Sequence, residues 1–162
     1  MKLTTKNTYL DNLFLGILAG FSIALGGTLN IMCVASEFKF LGSLSFCVGL
    51  LLVCFCGFHL FTGKVGYVFE NKKRFIFSLI IMYIGNFIGA AAFGYILMAT
   101  GFANTFSSTV DAISSKKLID LGSGFGQSWI TMFGLSFLCC NLVFLAVDIF
   151  KKNKNIIIKI LN

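Results

Sequence analysis

Hydrocarbon is the solvent that most constrains this chain. Leu13 to Ala35 and Phe75 to Ala99 are apolar and carry no charged residue, and Trp129 to Phe150 carries only Asp148. At about 1.5 Å per residue, each run is long enough to cross the ~30 Å apolar core of a bilayer. Leu41 to Phe69 is a fourth such run, but polar residues interrupt it. Of the 162 residues 57% are hydrophobic and only 12% charged, against about 25% charged in soluble domains. With a mean hydropathy of +0.92, this places the chain among polytopic membrane proteins.

The interruption is Cys56-Gly57-Phe58-His59-Leu60-Phe61-Thr62-Gly63-Lys64-Val65-Gly66. A simple span needs none of these polar groups. At membrane depth, irregular backbone is tolerated only where protein buries it or a cavity adjoins it. Glycine costs about 1 kcal/mol relative to alanine inside a helix, so Gly57 and Gly63 are where the helix is expected to open. Broken helices of this kind build the sites of many transporters and channels, because freed N–H groups can face an anion.

Gly57-Phe58-His59-Leu60-Phe61-Thr62-Gly63 closely resembles the signature of the formate/nitrite transporter family, which reads Gly-Ala-(Glu or Asp)-Leu-Phe-Thr-(Gly or Ser) in its broken second helix. Three further stretches resemble that family in the same order. They are Ala19 to Gly27 in its first span, Gly85 to Ala90 in its third and Cys139 to Val147 in its fourth. The resemblance implies an all-α membrane protein with four transmembrane helices, the second broken. These would form one inverted repeat plus the first helix of the next, with a pore in each protomer of a pentamer. It covers four of the family's six spans, so the sequence is expected to be a truncated member.

The expected organisation is a cytoplasmic tail over 1–12, a membrane domain over 13–150 with spans at 13–35, 41–69, 75–99 and 129–150, and a basic tail over 151–162. Gly16, Gly20 and Ala24 on the first span, and Gly85 and Gly89 on the third, make small-residue faces for close helix packing. Thr100 to Ser128 reads as the longest loop, and its Gly122 to Gly126 lacks the βαβ context of a nucleotide site. Trp129 is an expected interfacial anchor.

The net charge of +7 fits topology and anionic headgroups rather than nucleic acid. Lys2, Lys6, Lys72, Lys73, Arg74, Lys151, Lys152, Lys154 and Lys159 fall on one side, against Lys39, Lys116 and Lys117 on the other. By the positive-inside rule both termini are cytoplasmic, and the resemblance implies the inner membrane of a bacterium. All six cysteines lie in apolar runs and His59 is the only histidine, so neither a disulfide framework nor a metal site is expected, and no cofactor. With no nucleophile–base pair or paired carboxylates, an enzyme is not expected either.

The resemblance assigns Thr62 and the constricting Phe61 to the pore, with Phe46, Leu50 and Leu60 narrowing its ends; by residue type alone those last three read as core packing. His59 stands where the family has an acidic residue. It either changes the pore lining or is a neutral histidine bonded to a nearby backbone carbonyl. Asn141 matches an asparagine of the family's conduction path, or serves an interhelical hydrogen bond, the role also expected of Asn86. Lys116 and Lys117 are candidates for drawing anions to the outer mouth. Asp148 is expected to form a solvated pair with Lys151 and Lys152.

The function implied is passage of small monovalent weak-acid anions such as formate or nitrite through a homo-oligomer embedded in lipid. The alternative is a non-transporting truncated membrane protein, or an assembly partner of a full-length relative.

Overall fold

The computed structural model describes residues 8–36, 38–68, 73–122 and 127–152, and among these every regular element is helical. Five α-helices follow one another: α1 (Thr8–Ala35), α2 (Lys39–Cys56), α3 (Lys73–Ala99), α4 (Ser107–Gly122) and α5 (Gln127–Lys152). Single 3-10 turns at Val65–Val68 and Phe102–Phe106 follow α2 and α3. Among the described residues, three stretches are long and apolar enough to cross a membrane: Tyr9–Ala35, Phe75–Ala99 and Ile130–Phe150. The apolar part of α2, Phe40–Cys56, is shorter, because the helix stops at Gly57. The chain is thus an all-helical polytopic membrane protein.

α1 is central, with α3 and α2 packed on either side of it, while α5 rests on α2, the Val65–Val68 turn and α4. Glycine makes the central contacts possible. A methyl group at Gly20 would overlap the Asn86 carbonyl, and one at Gly89 would overlap the Ile17 carbonyl. On the other side of α1, a Cβ at Gly49 would lie 2.6 Å from the Ser22 carbonyl oxygen. Without a hydrophobic force between helices in lipid, this backbone-to-backbone approach supplies the dispersion that holds them. The buried interior is correspondingly small, centred on Ala19, Val53 and Leu60. Large side chains such as Phe87, Tyr95 and Phe133 stand outward, about 70% exposed, where lipid tails are their solvent.

Two sequence expectations change. The stretch read as a loop over 100–128 contains a 3-10 turn and the sixteen-residue α4. Its polarity hides a run of fair helix formers, Ala112 to Leu118. The stretch read as a tail over 1–12 enters the helix at Thr8, and its Asn12 is buried.

Candidate functional site

The α2 helix stops because Gly57 takes the left-handed conformation, φ 70° and ψ 28°. A side chain resists this region by about 1–2 kcal/mol, and glycine does not. The Val53 carbonyl then accepts both the Gly57 and the Phe58 N–H, the latter at 3.0 Å, closing the helix end. Phe58 packs back on the cluster containing Val53, the apolar contact that usually accompanies such a cap. Gly57→Ala is therefore expected to destabilise the protein by about 1–2 kcal/mol although nothing crowds the site, measured as a shift in the denaturant midpoint in detergent. Gly63 has a different reason for being glycine. A Cβ there would sit 3.2 Å from both methyls of Val147 on α5, so the residue is small because another helix lies against it.

Past Gly57 the backbone has no helix of its own to satisfy it, and α1 and α3 supply the partners. His59 N–H donates to the Leu15 carbonyl at 3.2 Å. One side chain, Asn86 of α3, does the rest. Its Oδ1 accepts the Phe61 N–H at 2.9 Å, and its Nδ2 donates to the carbonyls of His59 at 3.0 Å and Gly16 at 2.8 Å. An amide is the group for this task, since it offers an acceptor and two donors at one position. The loop then closes on itself, with the Phe61 carbonyl accepting Lys64 N–H at 3.0 Å and Val65 N–H at 2.9 Å. The α1 carbonyls of Leu15 and Gly16 that accept these bonds lie where Gly16 and Gly85 bring the two helices together, a Cβ at Gly16 lying 3.1 Å from the Met82 oxygen.

The side chains follow from this frame. Leu60 joins Ala19 and Val53 in the buried cluster, and Leu50 packs on it. Phe46 and Leu50, four residues apart, are half-buried on α2. The Phe61 ring meets Tyr83 edge-on at 5.2 Å, and Thr62 is half-buried. His59 Nδ1 bonds the Asn12 Oδ1 at 2.8 Å. One partner of the ring is thus a side-chain amide of α1. Beside the break lies a cavity of about 150 Å³, lined by Val53, Cys54, the residues 57–60, Gly63 and Lys64, with Val147 from α5. No carboxylate is among its lining residues that the structure describes.

A model of the formate/nitrite transporter family matches residues 2–162. The chain belongs to that family. Searches of curated proteins and of solved structures give no match.

For a formate/nitrite transporter, the residues assigned from the sequence divide into two groups. His59, Leu60, Phe61 and Thr62 fall on the pinned stretch, and Leu50 packs beside Leu60. Asn141 stands apart on α5. It is exposed, and its Nδ2 donates to the Phe137 carbonyl one turn back at 2.8 Å, so it crosses to no other helix here. Lys116 and Lys117 lie in α4, but their side chains are outside the described residues, as is that of Trp129. Asp148 accepts a hydrogen bond from the Tyr67 hydroxyl, a partner on the 3-10 turn that its position near Lys151 and Lys152 did not announce; those lysine side chains are likewise outside the described residues.

Asn12, Tyr67 and Val147 are the site residues that sequence reasoning missed. Asn12 sits 47 residues from His59 and Tyr67 sits 81 from Asp148, separations at which no local pattern exists. Asn86 was legible as an interhelical donor, being an amide between Gly85 and Gly89 in an apolar span. Its bond to the Gly16 carbonyl of α1 is that interhelical one; that its other two bonds go to the loop was not legible.

Proposed function

We propose that the pinned stretch from Gly57 to Lys64 lines a passage for small monovalent anions of weak acids, formate and nitrite among them. The observation that carries this reading is the break itself. A span of a transporter-family chain gives up its helix at Gly57, has its loop held by α1 and Asn86, and borders a cavity of about 150 Å³ with no carboxylate among its described lining residues. The family membership supports transport; the anions, a pentameric assembly, the cytoplasmic placement of both termini and the bacterial inner membrane are proposals. Thr62, Phe61, Leu60, His59, Leu50, Phe46 and Asn141 are assigned to the path, with Lys116 and Lys117 at its outer mouth.

Reconstitution into liposomes with formate-driven swelling as the readout tests the reading. Swelling above that of empty liposomes is the expected result, and swelling equal to it removes autonomous transport. Thr62→Val keeps the shape and takes away only the hydroxyl. It should lower flux about tenfold, the equivalent of one hydrogen bond lost along the path. Flux unchanged by this substitution would remove Thr62 from the pathway.

A second reading has its own observation. Only 6% of the apolar window Ile130–Phe150 is buried, which leaves α5 a large face for further helices. On that reading the chain conducts nothing by itself and assembles with a relative that does. Flux restored only on co-reconstitution with a six-span member of the family distinguishes it.

A further inference from the structure

We propose that the hydrogen bond from Tyr67 to Asp148 is a latch that seats α5 over the cavity, making Tyr67 and Asp148 positioning residues and Val147 the movable wall. Every lining residue of the cavity but one comes from the continuous piece Val53 to Lys64; the exception is Val147. Whether the cavity is closed on that side therefore depends on where α5 sits. Val147 is 4% exposed, and its methyls lie 3.2 Å from where a Cβ on Gly63 would sit.

Three contacts in a row hold α5 there, and all lie in its last third. Gly63 meets Val147, Gly66 meets the ring of Phe144, and Tyr67 reaches both the Phe144 ring, edge-on at 5.2 Å, and the Asp148 carboxyl. Phe150 adds an edge contact to Phe55 of α2 at 5.1 Å. The aromatic and glycine contacts are non-directional and can slide. The Tyr67 bond cannot, because a hydroxyl and a carboxyl must keep both distance and angle. Asp148 is also the sole carboxyl group of α5, and a group of that kind near the end of a span is costly without a partner. Elsewhere on α5, Val143 packs on the Ala19, Val53 and Leu60 cluster, an apolar contact that can also slide, while Phe133 at 75% and Leu142 at 67% are exposed.

The latch deepens the proposed passage by naming what opens it, and rests on that reading only for its effect on flux. Cys54, a wall residue, reports the cavity directly and without transport. The experiment uses the full chain in membrane vesicles with Cys33, Cys47, Cys56, Cys139 and Cys140 replaced by alanine, and follows the rate at which N-ethylmaleimide labels Cys54. Tyr67→Phe keeps the ring on Phe144 and removes only the hydroxyl. It and Asp148→Leu are each expected to raise the rate about tenfold, and the double variant no further than either alone, since the Tyr67–Asp148 bond is lost in all three. Val147→Ala should raise it with the latch intact. Rates within about twofold of the parent for both latch variants overturn the proposal, and so does a Val147→Ala rate equal to the parent's, because the wall is then elsewhere. Faster labelling with no anion flux in any variant supports the latch and counts against the passage alone.

Discussion

Replacing Asn86 by leucine is expected to cost the folded protein about 3–5 kcal/mol and to abolish any anion flux. Leucine fills nearly the same volume, so the loss is one of hydrogen bonds. The Phe61 N–H and the His59 carbonyl both lose the partner that Asn86 supplies, while the Gly16 carbonyl, inside α1, keeps the helix's own donor. An unsatisfied buried polar group costs about 1–3 kcal/mol, and in a bilayer water is not at hand to reduce it. Unfolding in mixed detergent micelles measures the cost. A loss below about 1 kcal/mol would mean that the loop finds other partners and is not held as described.

The second large effect concerns the α1–α3 contact. Gly20→Ala and Gly89→Ala each place a methyl group on a backbone carbonyl of the facing helix, of Asn86 and of Ile17 respectively. Main chain cannot rotate away as a side chain can. The helices must separate, and about 2–3 kcal/mol per substitution is expected, with overpacking and lost dispersion acting together. Gly94→Ala is the control on the same helix, because nothing lies within 4 Å of the added carbon. There the helix preference of alanine should stabilise by up to about 1 kcal/mol. The same unfolding measurement reads all three, and equal effects at Gly20, Gly89 and Gly94 would remove close packing as the cause.

These contacts mark how far the sequence could be read. The spans, the break at Gly57 and the glycine faces were legible because each has a local signature: run length, a polar interruption in an apolar run, and small residues one turn apart. α4 was not, since a polar helix outside the apolar runs has the same composition as a loop. Gly63 was read as a second opening point, yet its φ is ordinary and Val147 explains it. His59 was read with two possible roles, and its bond to Asn12 depends on where a residue assigned to a tail comes to lie. Asp148 shows the same limit. Its lysine neighbours in sequence offered a ready partner, while its bond to Tyr67 reaches across the molecule to the turn that follows the early end of α2.

The pinning of the loop also imposes a schedule on biogenesis. Phe61 and Asn86 are 25 residues apart, and α3 leaves the ribosome after the stretch it must complete. When α1 and α2 have been synthesised, the amide of Phe61 still awaits its acceptor, so that piece of chain is poorly suited to lipid until the next span arrives. Release of the nascent protein into the bilayer is thus favoured as a three-helix unit, with α1 retained beside the insertion machinery as the template on which the later segments settle. Arresting translation before and after residue 86 and comparing carbonate extraction of the two nascent chains would expose that order.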